Sequence, residues 1–114
     1  ACTGHFGNWE RMSAWISAQG NSISVVAREA NQGALQERIV RIRTSAGAKV
    51  LHRGSAAIEM VKSLKRGQII GILPDQNDDE CFVPWFGHPA GTVLGPAQLQ
   101  LRTGAAILVC HGTR

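Results

Sequence analysis

The chain has no tyrosine, and its three cysteines (Cys2, Cys81 and Cys110) are odd in number, widely spaced and without a CxxC pair. That argues against a disulfide framework or a zinc knuckle and points to a reducing compartment. Long apolar runs are missing as well. The longest, 69–73 and 105–110, fall far short of the roughly 18 to 20 residues that cross a bilayer. No basic-then-apolar leader opens the sequence, so no signal peptide is expected. Repeats, low-complexity tracts and linkers are also lacking. What is present is ordinary globular usage: 44% hydrophobic, 18% charged and 13 glycines. This excludes a disordered, collagen-like or coiled-coil chain. The 114 residues suit one small domain or part of a larger one.

Charge is unevenly placed along the sequence. The net charge is +4; residues 1–72 hold ten Lys/Arg against four Asp/Glu, whereas residues 73–114 hold two against four. Such asymmetry suggests a cationic face suited to phosphate-bearing partners, although solvated helix faces account for it equally simply.

Short apolar strands alternate with helical patterns. Residues 23–27 read as a strand, followed by a helix over 34–45 in which Leu35, Ile39 and Ile42 share one face and Glu37 can support Arg41. A brief strand at 49–51 precedes a helix capped by Ser55, with Ala57, Ile58, Val61 and Leu64 as its apolar stripe and Gly67 as its end. Residues 68–73 form a nearly all-apolar strand, as expected of one covered on both faces. A turn-rich loop (74–80), an extended piece (82–86), a helix over about 95–103 and a last strand (105–110) complete the order. This alternation predicts an α/β fold: a mostly parallel sheet with helices on its faces. The chain opens where a strand should end and stops just after another, so it reads as a central fragment of a larger catalytic domain.

The most informative stretch is Thr3-Gly4-His5-Phe6-Gly7-Asn8-Trp9-Glu10. A strand ends near His5, Gly7 and Asn8 suit a tight turn, and a helix begins near Trp9. His5 then projects from the carboxyl tip of a strand, where open α/β sheets place their sites. Folded back across the turn, Glu10 would accept the imidazole N–H, fix the tautomer and leave the other nitrogen as a base. The alternative is a turn histidine with a helix-start carboxylate favoured by the dipole.

His5-Phe6-Gly7-Asn8-Trp9-Glu10 resembles the H-x4-D/E signature of lysophospholipid acyltransferase-like enzymes. It is similar in particular to the HFGNWE form of the lipid A biosynthesis (lauroyl/myristoyl) acyltransferase family. Further matches follow in order: Arg28 with Asn31, Arg41 and Arg43, Gly67, Leu73-Pro74-Asp75-Gln76, the segment from Val83 to Ala90, and Gly95-Pro96-Ala97 leading to Thr103-Gly104-Ala105. They cover essentially the whole chain, which is then a partial acyltransferase catalytic domain, 1–114, without an amino-terminal membrane segment or the carboxyl-terminal part. The resemblance implies transfer of a fatty acyl chain from an acyl carrier protein thioester to a hydroxyl of a phosphorylated lipid A precursor. His5 would be the general base and Glu10 its orienting carboxylate. It also implies work at the cytoplasmic face of the bacterial inner membrane, reached through segments outside this chain, with no cofactor, no metal and no nucleic-acid partner. Close variants of the acceptor are a glycerophospholipid and a phosphoinositide mannoside.

The resemblance further implies that Arg28, Asn31, Arg41, Arg43, Asp75 and Gln76 bind substrate. Arginine suits this because it holds phosphate bidentately. Arg41 and Arg43 read equally well as solvated helix residues, and this chain has Arg28-Glu29 where the family commonly has Arg-Pro. Asp75 lies at another carboxyl tip, able to anchor a site arginine or hold the active-site loops. Asp78-Asp79-Glu80 lacks EF-hand spacing and reads as a solvated loop. Phe82, Trp85 and Phe86 border the site or cover the core. A Cys2–His5 nucleophilic pair is disfavoured because Cys2 falls within a strand. His52, His88 and His111 show no ligating pattern. Two other classes of function remain: a basic module binding nucleic acid or anionic lipid, indifferent to His5, and a hydrolase using the same histidine with water as acceptor.

Overall fold

The computed structural model describes residues 1–27, 33–52 and 56–112, without the side chains of Ala27, 33–36 and His52. Its first three strands, β1 (Ile23–Ala27), β2 (Lys49–His52) and β3 (Ile69–Gly71), form a parallel sheet in the order β2-β1-β3. Ser24 lies opposite Lys49 on one side, and Ile23 opposite Ile69 on the other. Single parallel rungs extend this sheet, Cys2 pairing with Ile72 and also with Val109. Thr3 N–H donates to the Ile72 carbonyl (3.0 Å) and Cys110 N–H to the Cys2 carbonyl (2.9 Å). Because every rung is parallel, the carboxyl ends of these segments lie along one edge.

Among the described residues four helices accompany the sheet: α1 (Trp9–Ala18), α2 (Gly33–Ser45), α3 (Ala56–Lys65) and α4 (Gly95–Thr103). Successive strand residues face opposite sides, so the core divides in two. On one side Ile23, Val25 and Ala48 pack with Ile16 of α1, Val50 and Ile69. On the other, Leu51, Ala56 and Ile70 pack with Met60 and Leu64 of α3 and with Ile72. Asn8 caps α1, its side-chain oxygen accepting from Arg11 N–H at 2.9 Å and satisfying one of the orphan donors of the first turn. Pro96 starts α4, where its missing N–H costs nothing.

Four expectations change. The buried face of α3 is Ala56 and Ser63, flanked by Met60 and Leu64, while Ile58 is 66% exposed. Two small residues let the helix approach the sheet closely, and that rotates Ala57 and Ile58 outward. The extended piece at 82–86 is one arm of an antiparallel hairpin, β4 (Cys81–Trp85) with β5 (His88–Thr92). The final apolar run makes a single rung at Val109 rather than a strand. Leu108 and Val109 are exposed, so burial on a second face does not hold this segment extended. Glu37 and Arg41, both described, form no ion pair. Among the described residues no helix is long and apolar enough to cross a membrane.

Candidate active site

The site follows from strand register. Cys2 pairs with Ile72 across the sheet, and three residues further along each chain stand His5 and Asp75, still opposite one another. Past the last rung the two segments keep their spacing. Asp75 Oδ2 accepts the backbone N–H of His5 at 2.6 Å, and Oδ1 lies 2.8 Å from His5 Nδ1. One carboxylate therefore fixes both the main chain and the ring of the histidine. Gly4 makes the approach possible, since a Cβ there would fall 2.9 Å from Asp75 Oδ2. The Asp75 carboxyl is held below its ordinary value of 3.8, first by the His5 backbone N–H and then by the His5 side chain. It is charged at neutral pH and can only accept a hydrogen bond. His5 Nδ1 therefore carries the proton, and Nε2 is left with its lone pair.

Glu10 does not take that role. The Asn8 cap places Glu10 in the first turn of α1, where it meets the last turn of α2. Arg43 Nε donates to both Glu10 carboxylate oxygens (3.0 and 3.2 Å), and Nη2 donates to Oε1 at 2.7 Å. The expected His5–Glu10 pair is thus replaced by two pairs, His5–Asp75 and Glu10–Arg43. Trp9 lies between them. Its ring sits under the Arg43 guanidinium at 5.0 Å, and it meets the His5 ring edge to face at a centroid distance of 6.0 Å. Both contacts are of a kind that orients charged or polar groups.

Of the residues singled out in the sequence, His5, Glu10, Arg43 and Asp75 are brought together. Arg41 is exposed on α2, two residues and more than half a turn from Arg43. Gln76 is exposed just beyond Asp75. Arg28 and Asn31 lie outside the described residues. Trp9, Gly4 and the Asn8 cap were not singled out by sequence reasoning; Asn immediately before a helical pattern was the available signal for the cap. Among the described residues no cluster of three or more His, Cys, Asp or Glu side chains could hold a metal ion. A cleft of about 1040 Å³ borders the same loop, lined by residues including Gly7, Asn8, Arg11, Met12, Trp15 and His111.

A histidine held by an anionic carboxylate at the carboxyl edge of a parallel sheet defines an α/β protein equipped for proton transfer. The comparison with known proteins agrees with that class and narrows it. The family model for bacterial lipid A biosynthesis acyltransferases matches residues 1–114, and the chain belongs to that family. It is also similar to the phosphatidylinositol mannoside acyltransferase of Mycobacterium tuberculosis strain H37Rv, with 28% identity over 113 residues covering 94% of this chain and 36% of that protein. The phosphatidylinositol mannoside acyltransferase of Mycolicibacterium smegmatis is 26% identical over 114 residues, covering 94% of this chain and 37% of its own length. The chain thus spans a little over a third of these relatives.

Proposed function

We propose that the protein transfers a fatty acyl chain from a thioester, carried by acyl carrier protein, to a sugar hydroxyl of a phosphate-bearing glycolipid. The observation that carries this reading is the His5–Asp75 pair within a chain of this family. His5 Nε2 removes the proton of the acceptor hydroxyl as its oxygen attacks the thioester carbonyl. The tetrahedral intermediate then expels the thiolate, which takes the proton back from the imidazolium. The Asp75 carboxylate keeps Nδ1 protonated throughout and stabilises the cation that forms between the two steps. No acyl-enzyme arises, so no nucleophilic cysteine or serine is needed.

Arg43 and Glu10 act one layer back. Their bidentate pair joins α1 to α2 and sets Trp9 in its edge-to-face contact with His5, which holds the base in place. The cleft beside Arg11 and Trp15 is of the size that takes a substrate arm. A lipid A precursor is the first acceptor to assay, because the matching family carries that name. A phosphatidylinositol mannoside is the second, since the relatives are so named. The setting that goes with this chemistry is the cytoplasmic face of an inner membrane.

The test incubates the full-length protein with acylated carrier protein and each acceptor in turn, and looks by mass spectrometry for one added acyl chain. A product on either acceptor that is absent with His5→Gln supports the reading and picks the acceptor. Acyl release without an acylated lipid would identify a hydrolase instead, and a product that persists in His5→Gln would remove the histidine as base.

A further inference from the structure

The β4–β5 hairpin carries chemistry that the reaction above does not use. Its turn is Phe86-Gly87, with φ of 48° at Phe86 and 79° at Gly87. Two consecutive left-handed residues suit Asn or Gly, and a bulky aromatic there is strained. The strain is not offset by burial, since Phe86 is 87% exposed and Trp85 65%. The two rings contact each other edge to face at 4.9 Å, and Phe82 is exposed on the same hairpin. Residues 81–101 contain no Asp, Glu, Lys or Arg.

We propose that this hairpin tip enters the interfacial layer of a lipid bilayer, with Trp85 and Phe86 as its anchor. Tryptophan and phenylalanine favour that layer, where an apolar ring meets a wet polar boundary. Charge complementarity supports a lipid occupant: the uncharged tip matches the low-dielectric zone below the headgroups. Two acidic residues at the hairpin base are engaged locally: Glu80 Oε2 accepts the Leu94 N–H, and Asp78 Oδ1 accepts the Glu80 N–H. Five strand residues separate them from the tip, roughly 15 Å, beyond the screening length at physiological salt.

The backbone fits as well. Pro84 lies opposite Pro89, one pair removed from the Trp85–His88 pair that closes the two-residue turn. In an antiparallel ladder this position directs its N–H groups outward. Proline has no N–H, so the two strand edges nearest the tip present no unsatisfied donor to lipid. This role is independent of the acceptor and of the proton-transfer chemistry.

The experiment uses the full-length protein and vesicles of equal parts phosphatidylcholine and phosphatidylglycerol, with brominated acyl chains as contact quenchers of tryptophan emission. Comparing the wild type with Trp85→Phe isolates the quenching of Trp85, even where other segments bind the membrane. Phe86→Asn installs the favoured Asn-Gly turn, so its melting temperature should equal or exceed that of the wild type. The Trp85 quenching should fall by roughly half or more in Phe86→Asn, because the deepest apolar ring is gone. Quenching that is the same in wild type and Trp85→Phe would mean that Trp85 is covered by protein, either the rest of the chain or a second copy, and would overturn the proposal. So would a lowered melting temperature for Phe86→Asn, which would reveal that Phe86 packs against protein.

Discussion

At His5 the consequence of the geometry is a choice of carboxylate. Asp75 holds both Nδ1 and the backbone N–H of His5, whereas Glu10 is occupied by Arg43. Replacing His5 with Gln should lower the transfer rate by roughly 10²–10⁴ at unchanged melting temperature. Asp75→Asn should lose a comparable factor, because a neutral amide neither enforces the Nδ1–H tautomer nor balances the imidazolium. Glu10→Gln should cost far less in kcat, and steady-state rates of the three variants check this ranking. If Glu10→Gln is as damaging as Asp75→Asn, the orienting role returns to Glu10. The lowered Asp75 pKa has its own signature. A carboxyl depressed in the folded state contributes stability that is present above its ordinary value of 3.8 and is lost as pH falls through the lower folded value. The melting-temperature gap between wild type and Asp75→Asn should therefore persist from neutral pH down to that ordinary value and close only below it. The sequence marked His5, Glu10, Arg43 and Asp75 together with Arg28, Asn31, Arg41 and Gln76, and it paired His5 with Glu10. The structure pairs His5 with Asp75 instead. That pairing is set by the register of segments seventy residues apart, and local spacing carries no information about it.

Elements make the next set of contacts, and the Glu10–Arg43 pair is the clearest. It joins the first turn of α1 to the last turn of α2, with Arg43 only 13% exposed on its side chain and Glu10 38%. Lysine keeps the charge at that position but loses the fork and the stacking on Trp9. Arg43→Lys should thus destabilise by about 1 kcal/mol and lower kcat more than it raises KM, as expected of a residue that positions others. A double-mutant cycle with Glu10→Gln measures the coupling directly. On the other face of the sheet, Leu51 is the most deeply buried large side chain, 1% exposed under α3. Leu51→Ala should cost about 2–5 kcal/mol, read by denaturant unfolding. The helices and central strands were legible because their patterns are local: α4 spans the expected 95–103, and α2 and β1 fall within a residue of expectation. Strand β5 was not, since His88-Pro89-Ala90-Gly91-Thr92 has neither alternation nor β-branched content until its last residue, and only its pairing with β4 makes it a strand. The inward face of α3 was misread for a related reason. Hydrophobic periodicity favours Ile58, but close helix–sheet contact favours the small side chains of Ala56 and Ser63.

At the scale of the whole molecule, the order of segments across the sheet changes the meaning of the charge asymmetry. From one side to the other the segments are β2, β1, β3, then the rungs at Cys2 and at Val109, so the basic amino-terminal stretch supplies every segment but the last and the acidic carboxyl-terminal stretch joins at one edge. Exposed cations such as Arg38 and Arg41 of α2, Lys62 and Lys65 of α3 and Arg102 of α4 are carried by three separate helices. One of the larger cations, Arg43, is neutralised by Glu10. A molecule arranged in this way presents scattered positive charge, not the continuous basic stripe with interleaved aromatics that tracks a nucleic-acid backbone. Its affinity for an anionic lipid acceptor should then depend only weakly on salt. Acceptor KM should change by less than about threefold between about 50 and 200 mM salt, the interval over which a protein neutralising many phosphates loses about 10³–10⁵ in affinity. Single-stranded nucleic acid should fail to compete for the site under the same conditions. A steep salt slope together with competition by nucleic acid, unaffected by His5→Gln, would instead make the protein a basic binding module and remove the acyl-transfer reading.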